Sequence, residues 1–362
     1  MTPRLLFLIN GLGLGNSTRC HAVIERLAAA GAEIEIVTSD NGLWFFDGKG
    51  EITRVTAIPS LRYGADHGRI SILRTLGQAG RMWWTLRQAE AILSEVINRF
   101  QPHVVVSDSV YALGPVRRAG LPLAALNNAD MVTRGMGRFG DWPASVLPQF
   151  LFIELGDYLH HRIVPDLVIS PRLDPSDGTE GRRLRRVGPI VRRDCRPQPV
   201  ETRPPSRVVI MLSGSVFGSS VTLARRHDGL RIDVIGRPAP EPAPDIDGVT
   251  FHGKLRDSLA LTRQADLLIV NGGFSAVSEA LVLRKPMVVI PVPRHAEQWV
   301  NGRTIRHLGV GTIGSEDRLE ASLDDALGRI DDLRGAYQRL PPAPDGAAEA
   351  ADLLLKLAGG RP

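Results

Sequence analysis

Short apolar runs alternate with helix-forming stretches along the whole chain, and this alternation restricts the fold more than any other feature. The run Leu5-Leu6-Phe7-Leu8-Ile9 enters the glycine-rich stretch Asn10–Gly15. A helical pattern follows from about Ser17 to Ala30, closed by Gly31, and "AEIEIVTSD" then supplies a second run. This is a strand, helix, strand opening. Further on, Arg81–Phe100 reads as a helix that leads through Pro102 into "HVVVSD", and "GLPLAALNN" repeats the step. Strands this apolar must be covered on both faces, which predicts parallel sheets between layers of helices.

Around residue 193 the texture changes to "RRDCRPQPVETRPPSR", a Pro- and Arg-rich stretch suited to a stiff extended linker. Beyond it "RVVIMLSGS", "LRIDVIG", "ADLLIVNGG" and "KPMVVIPV" are four buried-strand candidates. The 362 residues suffice for two cores. The chain is therefore expected to be α/β, with two doubly wound, Rossmann-like domains: residues 1–192, a linker at 193–206, and residues 207–345. The final stretch, 346–362, reads as a helix that packs back on the first domain. Ligands of such sheets sit at the carboxyl ends of the strands, and two facing sheets would place a cleft between the domains.

The sharpest local pattern lies at 265–311. A strand runs into Asn271-Gly272-Gly273, where missing Cβ atoms let backbone amides approach a ligand, and a helix starts near Ser275. A helix N-terminus beside a hydroxyl suits a diphosphate. Glu279 lies four residues further, on the same helix face, where its carboxylate can accept both hydroxyls of a ribose. After the next strand the loop presents His295, Glu297 and Gln298, polar groups placed to bind sugar hydroxyls.

Composition narrows the classes further. The formal charge of +5 favours anionic ligands, but no nucleic-acid module accompanies it, so nucleic acid is not an expected partner. Cys20 and Cys195, without a CxxC, cannot make a zinc site alone and fit a reduced, cytoplasmic protein. No apolar stretch approaches the roughly 18 residues of a membrane span. Trp83 and Trp84 beside Arg81 and Arg87, and the apolar "ASVLPQFLFIELGDYLHHR", read either as core or as a surface for a lipid or the inner face of a membrane.

Taken together, Gly272-Gly273, Ser275, Ser278-Glu279-Ala280, Pro286, Pro291, Glu297-Gln298 and Asn301 resemble, in order and spacing, the GT-B nucleotide-sugar glycosyltransferases. Within them the group of the peptidoglycan lipid-linked N-acetylglucosaminyltransferase and the UDP-glycosyltransferases is most similar. The resemblance is strong over 251–311 and weaker over 40–190. It implies transfer of a sugar from a UDP-linked donor, a co-substrate rather than a resident cofactor, to a small-molecule, glycan or lipid-linked acceptor. By the same resemblance the backbone of Leu255 would pair with uracil and Glu279 would hold the ribose. Ser213-Gly214-Ser215, Arg192 and the amides of Gly273, Phe274 and Ser275 would surround the diphosphate. Glu297 and Gln298 would hold the sugar.

The N-terminal loop of the family resembles "GLGLGNSTR", with Gly13, Gly15, Asn16 and Ser17 facing the cleft, but often has histidine as general base where this chain has Asn16. Asparagine takes no proton near neutral pH, although it can orient an acceptor. The base is therefore assigned to Asp108, at the end of its strand, with His21, Asp66, His67 and Asp130 behind it. No DxD follows an apolar strand, since Asp245-Ile246-Asp247 lies in a Pro-rich connector, so an inverting displacement without an obligatory metal is expected. Other readings stay open: a plain structural turn at 11–16, a defective dinucleotide fingerprint with Asp40 on a ribose, a nucleotide-sugar hydrolase or epimerase, and a catalytically inactive binder of sugar nucleotides.

Overall fold

The computed structural model describes residues 2–59, 65–66, 69–70, 79–178, 180–181, 183–212, 229–239, 247–255 and 257–360. The chain divides into two compact units, one of residues 1–131, 156–193 and 344–362, the other of 132–155 and 194–343.

The first unit is built on seven parallel strands: β1 (Arg4–Ile9), β2 (Glu33–Thr38), β3 (Arg54–Ala57), β4 (Val104–Asp108), β5 (Leu123–Leu126), β6 (Leu167–Pro171) and β7 (Leu184–Val187). Their order, β3-β2-β1-β4-β5-β6-β7, reverses direction between β1 and β4, which is the switch point of a doubly wound sheet. Its helices are α1 (Leu14–Ala29), α2 (Asp40–Phe46), α3 (Ala79–Phe100), α4 (Gly114–Arg118) and α6 (Leu155–Ile163), while α5 (Ala129–Phe139) starts in this unit and continues into the second. Alternate residues of β1 explain the layering. Leu5, Phe7 and Ile9 pack with Cys20, Val23 and Leu27 of α1. Leu6 and Leu8 pack with Leu93, Val96 and Phe100 of α3.

The second unit repeats the plan with six parallel strands: β8 (Arg207–Met211), β9 (Arg231–Ile235), β10 (Val249–Gly253), β11 (Leu267–Val270), β12 (Met287–Val289) and β13 (Gly311–Ile313). Their order is β10-β9-β8-β11-β12-β13. Helices α7 (Leu259–Gln264), α8 (Phe274–Val282), α9 (Ala296–His307), α10 (Leu319–Gly328) and α11 (Ile330–Arg339) cover the sheet.

Residues 132–155, expected with the first half, group with the second. The reason is an apolar face: Val132, Met136 and Val146 cover Ala296 and Val300 of α9. A Cβ on Gly135 would lie 2.2 Å from Val300 Cγ1, so glycine permits the approach of α5 to α9. Gln149 Oε1 accepts the Ala296 N–H (2.9 Å), and Arg303 pairs with Asp141 (2.7 Å). At the other end, α12 (Gly346–Ala358) starts at Asp345, whose carboxylate accepts the Ala348 N–H (3.0 Å), and lays Ala347, Ala350, Ala351 and Leu354 into the core beneath α1. Gly346 is needed there, because a Cβ would sit 1.9 Å from the Gly188 carbonyl oxygen. Among the described residues, no helix is long and apolar enough to cross a membrane.

Candidate functional site

In the second unit the carboxyl ends of β11 and β12 form one polar edge. Asn271 Nδ2 donates to the Ile290 carbonyl (3.1 Å), which ties the two strand ends together. Gly272 has φ +85°, and a Cβ would lie 2.7 Å from Val289 Cγ1, so only glycine fits this turn. Its carbonyl accepts Asn301 Nδ2 (2.9 Å). Gly273 is the N-cap of α8, without a side-chain cap, and a Cβ there would meet nothing within 4 Å. Among the described residues there is thus room beside Gly273 at the positive end of α8, the arrangement that favours a phosphate. Phe274 is buried, Ser275 half-buried, and Glu279 is 5% exposed on the next turn. Ser278 is wholly buried, and its Oγ has no hydrogen-bond partner among the described residues.

The loop after β12 is held in a tense conformation, with Arg294 at φ +69°. His295 follows as N-cap of α9, its Nδ1 buried and without a partner among the described residues. Burial holds His295 below the usual imidazole range, and the charge of Glu297 opposes this only in part. Glu297 is half-buried in the first turn of α9. Gln298 Oε1 accepts the Val292 N–H (2.9 Å), which orders the loop and leaves the NH2 group to face a ligand.

Gly272, Gly273, Phe274, Ser275, Glu279, His295, Glu297 and Gln298 are therefore on adjacent strand ends. Leu255 follows β10 at the same edge, three strands from β11, or about 14 Å at the usual strand spacing. Ser213, Gly214 and Ser215 lie outside the described residues, as does Asp245. Arg192, expected beside the diphosphate, groups with the first unit. Arg237 went unnoticed in the sequence: wholly buried just after β9, it pairs through both Nη atoms with Glu316, just after β13. Its position directly behind an apolar run was the available signal.

In the first unit, Gly11 makes the closest turn, since a Cβ would lie 1.7 Å from the Ser39 carbonyl oxygen. Helix α1 begins at Leu14, earlier than the expected Ser17, with Gly13 as N-cap, so Gly15, Asn16 and Ser17 belong to its first turns. Gly13 and Gly15 are exposed and Asn16 is half-buried. Ser17 is buried, with no partner for its Oγ among the described residues.

The assignment of Asp108 as base is corrected by its surroundings. Its side chain has no exposed surface, and Arg19 binds it through Nε to Oδ2 (3.0 Å) and Nη2 to Oδ1 (2.7 Å), with the Cys20 thiol at 3.3 Å. A carboxylate sealed in a two-point pair has no face for an acceptor hydroxyl. Asn16 Oδ1 sits 3.5 Å from Arg19 Nη2, on the outer side of the same cluster. The lesser candidates are also committed. His21 pairs with Glu51 against Phe45 and Phe46, and Asp130 is held by Arg186 (2.9 Å) and Ser170. His67 lies outside the described residues, and for Asp66 only the backbone, in a two-residue strand, is described.

A second cluster at the carboxyl edge of this sheet escaped the sequence reading. Asp157 on α6 accepts Tyr111 Oη (2.6 Å), from the loop after β4, and Asn127 Nδ2 (2.8 Å), from the end of β5. His161, one turn on, places Nδ1 3.1 Å from Asp157 Oδ1 and 2.8 Å from the Asp157 carbonyl. The spacing Asp-x-x-x-His was present in "GDYLHHR", inside a stretch read only for its apolar residues.

Two doubly wound parallel sheets, with a glycine turn, a helix N-terminus and a buried glutamate one turn on at the edge of the second, define the GT-B class of glycosyltransferases. The chain belongs to glycosyl transferase family 1, whose model matches residues 3–138 and 254–331. It is 26% identical to an uncharacterised glycosyltransferase of Methanosarcina mazei, over 98% of this chain and 99% of that one. It is 23% identical to the UDP-N-acetylglucosamine–N-acetylmuramyl-(pentapeptide) pyrophosphoryl-undecaprenol N-acetylglucosamine transferase of Agrobacterium fabrum, over 100% and 96% of the two chains. Among solved structures, the calicheamicin glycosyltransferase superposes with a TM-score of 0.66 at 19% identity, covering 99% of each chain.

Proposed function

We propose that the second unit binds a UDP-sugar and that the enzyme transfers the sugar to an acceptor held by the first unit. The observation that carries this reading is the edge formed by Gly272–Ser275 and Glu279: a helix N-terminus without a side-chain cap for the diphosphate and a buried carboxylate one turn further along the same helix. The UDP donor named for the Agrobacterium relative supports the choice of nucleotide. In this reading Leu255 meets the uracil, while Glu297, the Gln298 NH2 group and His295 meet the sugar and its phosphate. Displacement inverts the anomeric carbon, and the departing diphosphate is stabilised by the α8 amides in place of an obligatory metal.

A hydrophobic acceptor, free or at a membrane surface, is favoured by the exposure of Trp83 and Trp84 (55% and 64%) and of Phe152 and Ile163 (both 68%). Titration calorimetry with UDP, TDP, GDP and NAD tests the donor assignment. Selective UDP binding, weakened roughly 10- to 150-fold in Glu279→Ala by loss of charge-assisted hydrogen bonds, is expected. NAD binding without UDP binding would overturn it.

A further inference from the structure

We infer that the second unit holds a further binding site, for a small phosphorylated anion, in a cleft that Lys285 shares with the segment 198–207. The cleft has a volume of about 850 Å³, within the range of small-molecule sites, and its described lining includes Gln198, Arg203, Arg207, Arg231, Arg263 and Lys285. All of these belong to the second unit. They gather at the amino ends of the strands: Arg207 opens β8, Arg231 opens β9, and Lys285 stands two residues before β12. The donor edge, at the carboxyl ends of β11 and β12, lies across the same sheet. The site is therefore separate from the donor site and does not rest on that reading.

The lysine is the first observation. Lys285 is 5% exposed. Its main chain is committed, with the N–H donating to the Ala280 carbonyl (2.9 Å) and the carbonyl accepting Tyr337 Oη (2.8 Å). Its Nζ, by contrast, has no hydrogen-bond or ion-pair partner among the described residues. The charges that act on the amine are those of Glu201, Asp266, Arg203 and Arg334, and Glu201 and Arg203 line the cleft with it. Burial pushes the amine below its ordinary value, and the two carboxylates offset this only in part. A buried ammonium without a partner is costly, and a phosphate oxygen at Nζ would supply the partner. The second observation is that the cleft is built. Asp266 Oδ2 accepts the N–H of Ser206 (2.8 Å), the N–H of Arg207 (3.0 Å) and Arg203 Nη1 (3.2 Å), which fixes one wall against the sheet. The third is charge. Arg203, Arg207, Arg231, Arg263 and Lys285 line the cleft against two carboxylates, Glu201 and Asp247. Arg207 gives its Nε to Asp233 (2.7 Å), whereas the exposed Arg231 side chain has no partner among the described residues. Arg231 opens a strand three places from β12, so it attracts an anion held at Lys285 without touching it.

The test titrates the full chain calorimetrically with pyrophosphate in the presence of saturating UDP, and locates the bound anion by hydrogen exchange. Protection is expected at 198–207, with or without UDP. Lys285→Met should weaken pyrophosphate binding about 10-fold or more. It should do so without lowering Tm, because an unpartnered buried amine gives way to an apolar chain. Arg231→Gln should weaken binding less, and Glu201→Gln should tighten it by removing a like charge. A second measurement needs no variant. The chain has lysine only at Lys49, Lys254, Lys285 and Lys356. Pyridoxal phosphate condenses with an amine, losing water, and borohydride reduces the imine to a stable secondary amine; peptide mapping should find Lys285 labelled, and pyrophosphate should block that label. Absence of protection at 198–207, wild-type affinity in Lys285→Met, or a Lys285 label that pyrophosphate leaves unchanged would overturn the inference. This pattern intact in a protein that fails to bind UDP would overturn the donor reading alone.

Discussion

Replacing Arg19 by methionine should destabilise the first unit severely. The Arg19 side chain is 7% exposed and its partner Asp108 is 0% exposed, so solvent screens neither charge. Removing the guanidinium deletes two charge-assisted bonds, of 3.0 and 2.7 Å, and leaves the carboxylate, among the described residues, with the Cys20 thiol and the Ser109 hydroxyl, at 3.3 and 3.4 Å. Breaking one partner of a buried ion pair costs about 3–5 kcal/mol. For a unit of this size each kcal/mol lowers Tm by about 2–4 °C, so a fall of roughly 6–20 °C is expected. Urea denaturation followed by circular dichroism should resolve the loss in the first-unit transition, and the double variant Arg19→Met with Asp108→Leu should recover most of it, because no charge is then stranded. A single variant within about 1 kcal/mol of wild type, or a double variant no better than the single, would refute the view that this pair is a sealed structural element.

Gly272→Ala must place a Cβ 2.7 Å from Val289 Cγ1 at φ +85°; it should lower stability by about 1–3 kcal/mol and abolish UDP binding, measured by denaturation and calorimetry. Gly346→Ala, with a Cβ 1.9 Å from the Gly188 carbonyl oxygen, should loosen α12 and expose the last 15 or so residues to limited proteolysis. Burial, then the charge of Asp108, raises the Cys20 thiol well above its ordinary value, so native protein should resist alkylation there at pH 8 and react only on unfolding. Burial also holds His21 below its usual value, against the opposing Glu51 hydrogen bond. The unfolded chain therefore takes up a proton that the native state resists, so this histidine's effect is to lower stability as pH falls below about 6.5. The urea midpoint of wild type relative to His21→Gln should decline between pH 7.5 and 5.5.

Much of the fold was legible because parallel strands buried on both faces leave continuous apolar runs, and each of Leu5–Ile9, Val104–Val106, Val208–Ile210 and Leu267–Val270 is buried as a strand. The turn at Gly272 was legible for a related reason: backbone that needs positive φ and close approach demands glycine, whatever the rest of the site contains. Residues 132–155 were not legible as part of the second unit, since an apolar helix face indicates that something covers it without saying what. Asp108 shows the same limit for charge. A carboxylate after a strand reads alike whether it faces a ligand or an arginine from a helix 89 positions away in sequence. Asp157 and His161 could have been found from their i, i+4 spacing, but only the fold brings Tyr111 and Asn127 to them.

Hydrogen exchange on the full chain, with and without saturating UDP, tests the location of the donor most directly. Protection should appear at 271–279 and 292–298, and residues 10–17 should exchange as in the free enzyme. UDP-dependent protection at 10–17 with none at 271–279 would contradict the account and move the nucleotide to the first sheet.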